Sequence, residues 1–261
     1  MRIACVGDNC IDRYDDLNKE SAGGNPVNVA VYSRRLGSEA SYIGVVGDDP
    51  YGELIVSSIR SKGVDVSHVR TAHGSSTVSH VTMKDGERIF GDYEEGVMAD
   101  FRPTQYDIDF MCGHDMVVTD LWGHSEVALK QIKSRGIPTA FDASERPFAE
   151  ASIIAAPDSS VFFFSDDRSS DDEIRSVLER IHSSGAEIAV AMRGSRGSMA
   201  YDGMEYHSFG IIPCNVVDTL GAGDSYVAGF INAWLKKKPI QECMRSGAEC
   251  SAMTIGYFGA W

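Results

Sequence analysis

Short apolar runs that alternate with helical segments constrain the fold of this 261-residue chain more than any other feature. Six runs have the length and composition of buried strands, at residues 2–7, 41–47, 115–121, 138–143, 160–165 and 187–192. Segments with helical periodicity follow four of these runs, at residues 25–37, 51–63, 125–136 and 169–185. A repeated order of strand and helix predicts one mostly parallel sheet with helices on both faces.

The segment 76–93 departs from this order, because its apolar and polar residues alternate with a period of two. Asp85 and Gly86 in its middle are a hairpin signal. We therefore expect a small β-sheet that projects from the main body as a lid, with strands from about 12–22 and 68–98. Because the exposed edge of such a sheet can pair with a second copy, a homodimer through the lid is plausible.

The formal net charge of −14 bears on the class of ligand. Nucleic-acid binding needs clustered lysines and arginines, so the acidic excess argues against it. No apolar run approaches the ~20 residues of a membrane helix, and the N-terminal residues do not resemble a signal peptide, which predicts a cytoplasmic protein without a membrane partner. The six cysteines lack metal spacing and are expected to be reduced. An anionic ligand must therefore be bound locally, by backbone dipoles or a metal ion.

The turn SAGGNPVNVAVY, residues 21–32, is the first of three glycine-rich turns between strands and helices. Gly23 and Gly24 allow close approach of a ligand to the backbone, and Asn28 can both donate and accept hydrogen bonds. This combination suits a polyhydroxylated ligand, although for this segment alone a flexible turn with an asparagine near a helix start is the better explanation. The second turn, GVVGDDPYG at 44–52, is interpreted mainly as structural.

The third turn is DTLGAGDSYVAGF, residues 218–230, whose pattern predicts that a helix begins near Asp224. The amides of Gly221, Ala222 and Gly223 would be unpaired donors at a helix N-terminus and could bind an anion. Asp224 at the same place could accept a proton from an attacking hydroxyl group, which favours phosphoryl transfer. An aspartate that caps the helix N-terminus is the simpler alternative.

Two common nucleotide-binding motifs are absent from the sequence. The P-loop pattern GxxxxGK[ST] does not occur. The dinucleotide fingerprint GxGxxG should follow the first strand, whereas the similar run GAGDSY lies near the C-terminal end and lacks the third glycine. An NAD-dependent enzyme is therefore not expected.

Taken in order, GGNPVNVA, GVVGDDPYG and DTLGAGDSY resemble the signatures of the ribokinase-like (PfkB) carbohydrate kinases, and the resemblance covers essentially residues 1–261. It implies a single kinase domain, a three-layer α/β sandwich with a small β-sheet lid, and transfer of the ATP γ-phosphoryl group to a sugar hydroxyl with Mg²⁺. EGVMADF and DLWGH are similar to segments of the family members that act on fructosamines. This implies phosphorylation of a primary hydroxyl, as in forming the 6-phosphate of fructoselysine.

The resemblance also assigns roles to individual residues. Asp224 would be the general base, with an anion hole formed by the amides of Gly221, Ala222 and Gly223. The sugar would contact Asp12, Gly23, Gly24 and Asn28. The nucleotide would lie along Gly194, Gly197, Gly221 and Gly223. The amino-acid half of the substrate would meet residues of the lid and its surroundings, Tyr93, Glu95 and Trp122. Asp218 would lie near a monovalent-cation site.

The sequence departs from the family pattern at three places. Met192 stands where many relatives have threonine, and no Asn-x-x-Glu element is clear at 162–173. The sequence stops soon after Gly259, so activation by potassium is not expected. The alternatives are a family member that acts on another sugar or a nucleoside, and a sugar-binding protein without catalysis.

Overall fold

The computed structural model describes residues 1–14, 19–84 and 87–261, with only the backbone described for 83–84 and 87–90. Asp85 and Gly86, the predicted hairpin turn, lie outside the described residues, as do 15–18 of the predicted lid. The described residues form two β-sheets flanked by α-helices.

The larger sheet contains nine strands of the described chain. They are β1 (Arg2–Val6), β4 (Glu39–Gly47), β5 (Asp65–Ala72), β8 (Met116–Asp120), β9 (Thr139–Asp142), β10 (Val161–Ser165), β11 (Ile188–Met192), β12 (Ser198–Tyr201) and β13 (Tyr206–Phe209). Their order is β13-β12-β11-β10-β9-β8-β1-β4-β5. All neighbouring strands from β11 to β5 pair in parallel. At the other end of the sheet, β12 is antiparallel to β11, and β13 is antiparallel to β12.

Eight α-helices of the described chain cover the two faces of this sheet. They are α1 (Asn25–Arg35), α2 (Pro50–Ser61), α3 (Gln105–Met111), α4 (Ala128–Ser134), α5 (Glu150–Ala155), α6 (Asp171–Ser183), α7 (Ala222–Leu235) and α8 (Ile240–Thr254). Consecutive residues of a strand point to opposite faces, so Phe163 packs with α1, α7 and α8 while Phe162 and Phe164 pack with α6. Both faces of the central strands are buried, which explains their continuous apolar runs.

The smaller sheet has the order β3-β2-β6-β7, with β2 (Cys10–Tyr14), β3 (Lys19–Gly23), β6 (Val78–Lys84) and β7 (Glu87–Glu94). The predicted α/β fold with a small separate sheet is confirmed. One boundary differs, because residues 68–72 of the predicted lid lie in β5 of the larger sheet. That strand is at the sheet edge and is mostly half-exposed, so it lacks the apolar run that marks the other parallel strands. The homodimer through the small sheet stays a prediction.

The parallel arrangement brings distant parts of the sequence to one edge of the larger sheet. Because β1, β8 and β9 are parallel neighbours, Asp8 after β1 and the terminal residues Asp120 and Asp142 lie at the same carboxyl edge. Ligands bind at this edge in open α/β sheets. Within the described residues, no helix is long and apolar enough to cross a membrane.

Candidate active site

Asp224 is the third residue of α7, and Gly221 is the N-cap of this helix with a φ of 72°. The left-handed conformation at Gly221 is one that glycine adopts readily. The alternative in which Asp224 itself caps the helix is therefore wrong. Asp224 instead lies inside the first turn, where the positive end of the helix dipole favours a negative charge.

Two asparagines of α1 hold the Asp224 carboxylate. The Asn25 side-chain amide donates to Asp224 Oδ1 at 2.8 Å, and the Asn28 amide donates to Oδ2 at 2.6 Å. Asn25 Nδ2 also donates to Asp142 Oδ2 at 2.7 Å. The sequence predicted that Asn28 would contact the sugar, but in the free protein its amide is already bonded to Asp224.

Burial raises the pKa of Asp224 to about 7, helped by the nearby carboxylates of Asp142, Asp12 and Asp8. The hydrogen bond from Asn28 acts in the opposite direction and lowers this pKa. A carboxyl group whose pKa lies near neutral pH can both accept and release a proton under physiological conditions. This pKa is compatible with the predicted role of Asp224 as a general base, which stays a prediction.

Residues at the end of the sequence reach the same site. Trp261 Nε1 donates to Asn28 Oδ1 at 2.6 Å, and the Tyr32 hydroxyl donates to the Ala260 carbonyl oxygen. Asp218 accepts the Gly259 amide at 2.7 Å through one carboxylate oxygen, and the Leu220 amide at 3.0 Å through the other. Asp218 thus fastens this segment to the loop before α7, and its role near a cation stays a prediction.

The backbone amides before Asp224 were predicted to be unpaired. The Ala222 amide is an exception, since it donates to the Thr219 carbonyl oxygen at 3.3 Å and closes a turn. Among the described residues, no acceptor bonds the amides of Gly221, Gly223 or Asp224. These three donors surround the start of α7 and can hold a small anion.

Close contacts explain the glycine pair that precedes α1. A Cβ atom at Gly23 would lie 2.4 Å from Asp12 Oδ2, and one at Gly24 would lie 2.6 Å from the Asn9 Cα atom. Gly24 also has a φ of 107°, a backbone conformation that residues with a Cβ atom rarely adopt. The two glycines therefore allow the buried Asp12 carboxylate and the backbone of residues 8 and 9 to approach the beginning of α1.

A second group of polar side chains joins the small sheet to the carboxyl edge. The Tyr93 hydroxyl donates to Asp8 Oδ1 at 2.7 Å, and Glu95 Oε1 lies 2.5 Å from His124 Nε2. The ring centres of Tyr93 and Trp122 are 6.1 Å apart. Tyr93, Glu95 and Trp122, all predicted to face the substrate, are thus brought together with Asp8 and His124.

A cavity of about 800 Å³ opens on the other side of the α7 N-terminus. Its lining includes Gly194, Gly197 and Gly223, three of the glycines predicted to lie along a nucleotide. Met192 also lines it, where many relatives would place a hydroxyl group. The size of this cavity and its position beside the free amides suit a nucleotide whose phosphates point toward Asp224.

Comparison with known proteins identifies the family. Residues 2–261 match the pfkB family carbohydrate kinases. The chain belongs to this family. It is 40% identical over 259 residues to the fructoselysine 6-kinase of Shigella flexneri, covering 99% of each chain. It is 33% identical to the fructosamine kinase FrlD of Bacillus subtilis, covering 100% of this chain and 93% of that protein.

Solved structures of the pfkB family support the fold. The ribokinase of Arabidopsis thaliana, solved with ribose and ATP, superposes with a TM-score of 0.86 at 19% identity, covering 99% of this chain and 93% of its own. The ribokinase of Thermotoga maritima superposes with a TM-score of 0.82 at 17% identity, and the match covers 100% of this chain and 94% of that protein. The family match makes the chain a carbohydrate kinase, and these structures give it the ribokinase fold.

Four polar residues of this kinase site were not among the predicted ones: Asn25, Asp8, Asp120 and Asp142. The sequence does contain a signal for three of them, since each aspartate stands at or within two residues of the end of an apolar strand. Asn25 offered no such signal, because its partners Asp142 and Asp224 are 117 and 199 residues away.

Proposed function

We propose that this kinase transfers the γ-phosphoryl group of ATP to a primary hydroxyl of a fructosamine such as fructoselysine. The observation that carries the proposal is the position of Asp224, which has buried carboxylates of the strand ends as neighbours and directly follows Gly223 in the lining of the 800 Å³ cavity. The relatives at 33–40% identity over nearly the whole chain, a fructoselysine 6-kinase and a fructosamine kinase, support a fructosamine as the sugar.

In the proposed reaction the sugar binds between the carboxyl edge of the larger sheet and the small sheet. Asp12, beside Gly23 and Gly24, accepts hydrogen bonds from sugar hydroxyls. Asp224 takes the proton of the attacking hydroxyl group, whose oxygen then bonds to the γ-phosphorus as the bond to ADP breaks. The amides of Gly221, Gly223 and Asp224 hold the charge that develops on the transferred group. Closure of the small sheet would exclude water, which would otherwise hydrolyse ATP.

Mg²⁺ belongs to this proposal as the partner of ATP. The described residues contain no cluster of three or more metal-binding side chains, which fits an ion held mainly by phosphates and one or two carboxylates. Glu145, Asp166 and Asp167 line the cavity and can supply such carboxylate oxygens. Bound there, Mg²⁺ would offset the negative charge of the phosphates and of the acidic protein.

The proposal is tested by measuring ADP release with a panel of acceptors: fructoselysine, other fructose–amino acid conjugates, fructose, ribose and adenosine. We expect kcat/KM to be highest for the fructosamines. Higher activity with adenosine would contradict the proposal and favour a nucleoside kinase. Binding of sugar in calorimetry without release of ADP from any acceptor would favour a non-catalytic relative.

The pKa of Asp224 predicts the pH dependence of the reaction. Only the ionised carboxylate can accept a proton, and its raised pKa keeps it protonated below about pH 7. With saturating Mg-ATP, kcat/KM for the sugar should therefore rise as the pH increases through about 7. Initial rates between about pH 5.5 and pH 8.5 test this prediction. A profile that is flat across this range would be incompatible with Asp224 as the base.

A further inference from the structure

Several buried carboxylates at the sheet edge have no lysine or arginine partner in the described chain. Asp8 is 6% exposed, Asp120 is 1% exposed and Asp142 is 3% exposed. Among the residues that the structure describes, no lysine or arginine forms an ion pair with any of the three. Burying carboxylates without a counter-charge is costly, so their retention calls for a physical explanation.

Asp120 is the most unusual of these residues. Neither of its carboxylate oxygens has a hydrogen-bond partner in the described part of the chain. Its Oδ1 faces the strand ends, where a Cβ atom at Gly123 would lie only 2.7 Å away and one at Gly7 only 3.3 Å away. The backbones of Gly7 and Gly123 therefore pack closely against this oxygen. Buried carboxylate oxygens without a hydrogen-bond partner indicate a missing donor.

The surroundings of Asp120 suit a cation better than a neutral donor. Asp8 raises the pKa of Asp120 more than any other carboxylate does, the Tyr93 hydroxyl donates to Asp8, and the Trp122 ring lies beside that of Tyr93. Aromatic faces attract cations, as the Arg146 guanidinium over the Trp122 ring illustrates, and carboxylates attract ammonium groups more strongly. Glu95 belongs to the same neighbourhood, although His124 already pairs with it.

We propose that Asp8 and Asp120 bind the protonated amine of the substrate, between the carboxyl edge of the larger sheet and the rings of Tyr93 and Trp122. This inference rests on the proposed function, since a fructosamine carries an amine at the carbon next to its carbonyl group. It assigns discrimination between fructosamines and neutral sugars to these two carboxylates.

The direction of the pKa shifts agrees with this assignment. Burial raises the pKa of both Asp8 and Asp120, and the repulsion between the two raises that of Asp120 further. A bound ammonium group would supply a positive charge and favour their ionised forms. A neutral ketose offers no such charge and would gain less from the same two carboxylates.

The test compares fructoselysine with fructose in the full-length Asp120→Asn and Asp8→Asn variants. Both substitutions keep the shape of the side chain and remove its charge. We expect the ratio of kcat/KM for fructoselysine to that for fructose to fall at least about 30-fold in each variant. Asp109→Asn, which removes an exposed carboxylate paired with Arg135, should keep the wild-type ratio. Calorimetry with 1-amino-1-deoxyfructose in the absence of ATP should show the same loss of affinity.

Different results would overturn different proposals. If the wild-type protein phosphorylates fructoselysine and both variants keep the wild-type preference, the two carboxylates do not bind the amine, while the proposed function stands. If the wild-type protein prefers neutral sugars, both the function and this inference fail. Thermal midpoints of the variants separate a loss of recognition from a loss of folding.

Discussion

Replacing Asp224 with asparagine is expected to lower kcat by at least about two orders of magnitude, because the variant cannot take the proton of the attacking hydroxyl group. The amide has the shape of the carboxylate but can accept only one of the two hydrogen bonds from Asn25 and Asn28, and because the other sugar contacts remain, the KM for the sugar should change less than kcat. Steady-state kinetics with fructoselysine and Mg-ATP, together with single-turnover measurements, give both quantities.

Asp172→Asn is a matched control for the Asp224 variant. Asp172 also lies in the first turn of a helix, α6, but it is exposed and distant from the site. Its substitution removes a favourable charge near a helix dipole without removing a base, so kcat should stay at the wild-type value. A kcat for Asp224→Asn within a factor of about three of the wild type would rule out its role as the base.

Gly23→Ala is expected to raise the KM for the sugar at least about tenfold. The added methyl group would lie 2.4 Å from Asp12 Oδ2, so the buried carboxylate must move away from the position that we assign to a sugar hydroxyl. The KM for ATP should change little, because neither residue lines the 800 Å³ cavity. The KM values are obtained by varying each substrate at saturating concentrations of the other.

Gly91→Ala is the control for Gly23→Ala, because it makes the same substitution at another position of the small sheet. A Cβ atom at Gly91 would be 3.6 Å from the nearest atom, the His80 carbonyl oxygen, which is an ordinary contact. We expect wild-type KM values for this variant. If Gly23→Ala binds fructoselysine as tightly as the wild type, with an unchanged thermal midpoint, the Asp12 carboxylate is not a sugar ligand.

Local sequence patterns predicted those parts of the site that one segment of chain forms by itself. Gly221 and Asp224 were recognisable because a glycine turn and a following helix determine where amides and a carboxylate lie. Gly23 and Gly24 were recognisable for the same reason. The parallel sheet followed from buried strands whose apolar runs are continuous, and the half-exposed β5 was missed because it has no such run.

The sequence by itself determined the fold class, the helix start that carries Asp224 and the glycine turn before α1. Only the tertiary structure decided which side chains surround Asp224, because Asn25, Asp142 and Trp261 reach the site from separate segments of the chain. It also decided that Asp8 and Asp120 share one buried edge, since β1 and β8 pair across more than a hundred residues of intervening sequence. The physical reason is that turn and helix-start geometry depends on neighbouring residues, whereas pKa values and hydrogen-bond partners depend on which strands pack side by side.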